Sequence, residues 1–88
     1  MLNPIYRNNF EKDVKLAKKQ GKQLSKLRLV MQLLIEQKPL ARNYQDHALV
    51  GNYKGRRECH IEPNWLLIYK IDKNDIIFER TGSHSDLF

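Results

Sequence analysis

Three histidines, His47, His60 and His84, and an arginine, Arg80, are the side chains best suited to chemistry in this 88-residue chain. Histidine ionises near neutral pH, with an unperturbed pKa of roughly 6.5, so it can take a proton from one group and give one to another. A planar, permanently charged guanidinium matches the oxygens of a phosphate. Together they meet the needs of cutting RNA through its own 2′-hydroxyl: a base for that hydroxyl, an acid for the departing 5′-oxygen, and a cation for the charge gathering on phosphorus. Tyr53 and Trp65, not far from Lys54, Arg56 and Arg57, add aromatic surface on which unpaired bases can stack. Each feature has a plainer reading. A lone outward histidine is ordinarily surface, Trp65 at a strand start is ordinarily core, and Tyr53 is a turn residue. The histidines are widely spaced, with no close pair of the kind zinc sites use. Asp46, Glu58 and Asp86 lie near them in sequence, yet a metal site is the less favoured use, and no metal or other cofactor is expected.

The elements that must position these groups follow from periodicity. "IYR" after Pro4 is a short, β-prone edge strand. From Asn9 the pattern turns helical: Phe10, Val14 and Ala17 share a face, Asn8 or Asn9 caps the start, and Gly21 ends it. A second helix from about Leu24 to Gln37 carries a stripe of Leu24, Leu27, Met31, Leu34 and Ile35, widened by Val30 and Leu33. Both stripes read as core. After Pro39 the helical period breaks, with turns at Gly51 and Gly55. "RRECHIE" then alternates, putting Cys59 and Ile61 on one face and Glu58 and His60 on the other. "WLLIYKI" is the nearly continuous apolar run of a central strand. "IIFERTG" returns with Ile76, Phe78 and Arg80 on one face, Arg80 at the strand end where a charge reaches solvent. The expected fold is α+β: two N-terminal helices on one face of a mainly antiparallel sheet, with the other face partly open and a short C-terminal segment from which His84 curls back.

Length and composition bound the function. Eighty-eight residues make one domain, 1–88, with a small core, so a site is expected in an open groove and not a deep pocket. Lone Cys59 excludes an internal disulfide and a cysteine-based metal site. No apolar run approaches the roughly 20 residues of a membrane span, and no apolar signal core begins the chain, which points to the cytoplasm and no membrane. A net charge of +6 favours a polyanionic partner. Half of the sixteen basic residues fall between Arg7 and Arg28, as solvated helix surface, while Lys54, Arg56 and Arg57 cluster beside Tyr53.

The stretches "YQDHALVGNYKGRRECHIEPNWLLIYKI" and "FERTGSHSDLF" resemble the YafQ branch of the RelE-type bacterial toxins, mRNA interferases of type II toxin–antitoxin pairs. The resemblance covers essentially the whole chain and is most specific from Asp46 to Phe88. It implies a RelE-like fold and metal-independent cleavage of mRNA in the ribosomal A site, among ribosomal RNA. It also implies neutralisation by a cognate acidic antitoxin, with operator DNA bound only through the antitoxin complex. The family's functional histidines fall on His47, His60 and His84, its phosphate-facing arginine on Arg80 and its terminal aromatic on Phe88. His84 is expected as the acid, with His47 or His60 as the base, and Glu58 orienting His60. One position departs: the family usually has aspartate where this chain has Asn64, which cannot serve as a base but suits a turn. That departure motivates a competing expectation, a weakened toxin homologue acting mainly as a binding module for the antitoxin and, through it, DNA.

Overall fold

Strand β4, Trp65–Asp72, is the middle of the sheet in the computed structural model, which describes residues 1–88. The five strands run in the order β1-β5-β4-β3-β2. They comprise β1 (Asn3–Tyr6), β2 (His47–Ala48), β3 (Arg57–Glu62) and β5 (Asp75–Gly82) besides β4. β1 pairs parallel to β5 and every other pairing is antiparallel. The expected edge strand is thus present, beginning at Asn3, with Pro4 on an edge where no ladder donor is missed. β2 was not legible as a strand; it is two residues long and is held by His47 and Ala48 pairing with Glu58 and Arg57.

Helices α1 (Asn8–Lys19) and α2 (Leu24–Ile35) cover one face. Phe10, Ala17, Leu27, Val30, Leu34 and Ile35 form one core with Cys59, Ile61, Trp65, Leu67, Tyr69, Ile76 and Phe78 of the sheet. Val14, Leu24 and Met31 pack at its margin, whereas Leu33 stays outside it. Neither Asn8 nor Asn9 caps α1. Arg7 takes the N-cap position without a side-chain cap, and its N–H instead donates to the Phe78 carbonyl at 3.1 Å, so β5 anchors the chain where it passes from β1 into the helix. Gly21 does end α1, at a positive φ of 78°, with Lys22 N–H donating to Ala17 O and Gly21 N–H to Lys18 O. Cys59 lies wholly inside, and burial pushes its thiol up to about 12, with Asp46 and Glu58 adding to the shift.

The second face is less open than expected. Leu66 and Ile68 point into it from β4 and are covered by a C-terminal helix, α3 (His84–Leu87), through Leu87, with Leu49 alongside. A capping box fixes α3: Ser83 Oγ accepts the Asp86 N–H and the Asp86 carboxylate accepts the Ser83 N–H, both at 3.2 Å. These bonds hold the Asp86 carboxyl below its ordinary range. Gly82 admits the helix, since a Cβ there would lie 3.2 Å from Asp86 Cβ. No helix is long and apolar enough to cross a membrane.

Candidate active site

The second face collects the chemistry in two cross-strand rows. His47, Glu58, Ile68 and Arg80 are partners in register across β2, β3, β4 and β5. His60, Leu66 and Gly82 form the adjacent row, two residues before His84. Alternation in β3 placed Glu58 and His60 correctly. Parity misplaced Arg80. A bulge opposite Ile68 and Tyr69 pairs Phe78 with Tyr69 but Arg80 with Ile68, so Arg80 leaves the Phe78 face for the side of Ile68, while its guanidinium is bound by Asp13 of α1.

Glu58 is the hub. It is only 5 % exposed, and its Oε2 lies 3.1 Å from His47 Nε2 and 3.9 Å from His60 Nε2. The carboxylate therefore engages His47 more closely than His60, the reverse of the expected partnership. Its Oε1 is buried without a partner, so the charge depends on these imidazoles. His47 Nδ1 faces the Gln45 carbonyl at 2.6 Å, which leaves both of its ring nitrogens against acceptors. His60 has no comparable commitment. Its ring centre lies 6.4 Å from that of His47 and 6.0 Å from that of His84, so the three imidazoles form a chain with His60 in the middle.

The terminal segment completes this chain. His84 is exposed on α3, and its backbone N–H donates to Asn64 Oδ1 at 3.4 Å. Asn64 therefore ties the β3–β4 turn to the start of α3. Phe88 is 57 % exposed, 6.2 Å from His84 and edge-on to Tyr53 at 5.1 Å, while the Tyr53 hydroxyl donates to Leu87 O at 3.3 Å. Tyr53 and Phe88 thus form an aromatic wall beside the histidines.

Of the other expected RNA contacts, exposed Lys54 follows Tyr53 in its loop, and Arg56 is paired with Glu79 at 2.8 Å. Trp65 must be withdrawn, and Arg57 is engaged elsewhere. Arg57 pairs in register with Tyr69 and so faces the helices, where it donates to Asp46 at 3.2 Å beside the Tyr69 hydroxyl, itself a donor to Asp46. Trp65 is fully buried, with its indole N–H donating to Thr81 Oγ1 at 2.9 Å, so it has no ring face for a base.

Sequence reasoning missed the surroundings of Arg80. Asp13 of α1 binds its guanidinium, and Arg7, Asn8, Asn9 and Glu79 line with it an all-polar hollow of about 420 Å³. Nothing local in the sequence marks Asp13, because its partner lies 67 residues away. No group of three or more His, Cys, Asp or Glu is arranged to hold a metal ion.

Comparison with known proteins bears on this geometry. The family model for the YafQ bacterial toxin of type II toxin–antitoxin systems matches residues 2–88. The mRNA interferase toxin YafQ of Escherichia coli K12 is 49 % identical over 84 residues, covering 94 % of this chain and 91 % of that protein. The crystal structure of the E. coli DinJ–YafQ complex contains a chain 46 % identical, with a TM-score of 0.93, covering 100 % of this chain and 99 % of that one. The crystal structure of a metal-bound toxin from Helicobacter pylori is 43 % identical with a TM-score of 0.94, covering 100 % of both chains.

Proposed function

The chain belongs to the YafQ family of bacterial toxins of type II toxin–antitoxin systems, and from that premise we propose that it acts as an mRNA interferase by cutting translated mRNA on the ribosome through the RNA's own 2′-hydroxyl. The observation that supports the proposal is the chain of His47, His60 and His84 beside buried Glu58, with Arg80 in the same cross-strand row as His47 and Glu58. A base from the Glu58-linked pair, His47 or His60, takes the 2′-hydroxyl proton. The 2′-oxygen then attacks phosphorus. His84 gives a proton to the 5′-oxygen as it leaves, and the products are a 2′,3′-cyclic phosphate and a 5′-hydroxyl. Of the pair, only His60 can accept a proton without first giving up a contact to an acceptor. Arg80 stabilises the charge on the phosphorane, and Phe88 with Tyr53 stacks against the splayed bases. The open, shallow face suits a strand presented by the A site better than one that must be captured free.

Its partner is an antitoxin, as DinJ is for the E. coli toxin. The exposed lysines of α1, Lys12, Lys15, Lys18 and Lys19, suit an acidic segment of that partner, through which operator DNA is reached. The action is in the cytoplasm, where the ribosomes are.

The test uses ribosomes programmed with a defined A-site codon, beside the same RNA without ribosomes. Cleavage within the A-site codon, absence of cleavage on free RNA, and no loss with a transition-metal chelator that spares magnesium are expected. Equal cleavage of free RNA would overturn ribosome dependence. Loss in chelator, restored by added metal, would support a metal-assisted reaction in its place, a point sharpened by the metal-bound H. pylori toxin.

Asn64 bears on the competing reading of a weakened toxin. Its Oδ1 already accepts the His84 N–H, as an aspartate oxygen would. An ionised acceptor strengthens such a bond by about 1 kcal/mol, which is less than about tenfold in rate. Asn64→Asp is therefore expected to raise single-turnover cleavage by less than about tenfold. A gain far above that would mean that the natural chain is crippled and that binding is its main role.

A further inference from the structure

Arg80 is not held by its own strand. Asp13, from the middle of α1, accepts Arg80 Nε–H on Oδ2 at 2.7 Å and Nη2–H on Oδ1 at 3.2 Å. The same Oδ2 also accepts the Thr81 N–H at 3.1 Å. One carboxylate thereby fixes both the guanidinium and the backbone just past the bulge that turned Arg80 to the side of Ile68. Thr81 is itself locked, its hydroxyl donating to Leu66 O at 2.7 Å and accepting the Trp65 indole N–H at 2.9 Å. The bracket therefore rests on the buried core.

Its geometry leaves the useful end of the guanidinium free. Of five N–H donors, Asp13 takes the Nε–H and one on Nη2, which leaves both on Nη1 and the second on Nη2 for phosphate oxygens. If positive charge alone mattered there, a carboxylate against Arg80 would be a fault. Its effect is directional, since it confines a long, flexible side chain to one rotamer at some loss of field. Asp13 has no ion-pair partner on its own helix surface, because the residues three and four away are Phe10, Leu16, Asn9 and Ala17 and none carries a charge. Its side chain is 13 % exposed, so the pair is partly shielded from solvent.

We propose that Asp13 is a positioning residue for RNA cleavage, holding the Arg80 guanidinium with its free edge toward the scissile phosphate. The proposal rests on Arg80 acting as the phosphate clamp.

The experiment measures single-turnover cleavage on programmed ribosomes, and toxin–ribosome affinity separately, for wild type, Asp13→Asn and Arg80→Ala. Asp13→Asn is isosteric. It is expected to slow cleavage by roughly ten- to a hundredfold, the scale of a misaimed catalytic group, with affinity unchanged within about threefold. A rate within twofold of wild type overturns the proposal. So does an equal fall in rate and affinity, which would make Asp13 part of the docking surface only. Arg80→Ala separates the two levels: if it cleaves like wild type, the clamp reading itself fails, whereas an inactive Arg80→Ala beside a fully active Asp13→Asn sinks this inference alone. A measurement on the wild-type protein stands independently of how the variants fold. The Arg80 Nε–H resonance is expected to be protected from solvent exchange, and rapid exchange there contradicts the bracket.

Discussion

His84→Ala is expected to lower cleavage on programmed ribosomes by roughly 100- to 10,000-fold, the usual contribution of a positioned general acid, and to abolish growth arrest on induction. The fold should be untouched. The His84 side chain is exposed, and what anchors α3 are backbone and neighbouring groups: its own N–H to Asn64, its carbonyl accepting the Phe88 N–H at 2.8 Å, the Ser83–Asp86 box, and Leu87 against Leu66 and Ile68. None of these needs the imidazole. Exposed substitutions of this kind ordinarily shift stability by no more than about 0.5 kcal/mol. Thermal unfolding should therefore be nearly unchanged while activity disappears. A well-folded His84→Ala protein that still arrests growth and cleaves at the wild-type rate removes the acid assignment.

The second large effect concerns stability and separates core from RNA contact. Trp65→Ala is expected to cost about 3–5 kcal/mol, the range for emptying a buried aromatic site. That is a large part of the roughly 5–15 kcal/mol that holds a small domain folded. Trp65→Phe keeps a ring but loses the indole N–H, which leaves the Thr81 hydroxyl short of one partner at a cost of about 1–3 kcal/mol. Calorimetry should show both losses, in that order of size, whereas ribosome affinity of folded Trp65→Phe should match wild type. Full stability combined with lost affinity would restore Trp65 as a stacking platform. Tyr53 and Phe88, both on the histidine face, are the aromatic residues left for that role.

How far the sequence foretold this arrangement depends on whether a feature is local. The apolar run of β4 marked the central strand, since a strand buried on both faces has no polar alternation to keep. The alternation of Glu58, Cys59, His60 and Ile61 sorted one strand between two faces correctly. The motif resemblance gathered the histidines, and register then brought them to one face. What failed needed information from elsewhere in the chain. The face of Arg80 depends on a bulge set by pairing with β4, and a period-two reading of β5 alone cannot see it. Arg57 looked like part of a basic cluster, but strand alternation sends it to the opposite side from Glu58, toward Asp46 and Tyr69. Trp65, not far in sequence from Arg56 and Arg57, looked like a platform because nothing in sequence announces Thr81 as its partner. The start of α3 was legible in principle, as Ser83 and Asp86 have the spacing of a capping box. Asp13 was not, because an acid on a lysine-rich helix looks like ordinary surface until β5 is laid against it.

The central claim is that the RNA's own 2′-oxygen is the nucleophile, with protein side chains moving the protons. The most direct measurement places a single 2′-deoxynucleotide immediately 5′ of the scissile phosphate in an mRNA set in the ribosomal A site. It then compares wild-type cleavage with that of the all-ribose message and identifies the 3′ end formed. The all-ribose message should be cut to a 2′,3′-cyclic phosphate and the deoxy message should stay intact. Cleavage of the deoxy message at a similar rate, leaving a linear phosphate or a free 3′-hydroxyl, would show that water or another external nucleophile does the work and would contradict the account.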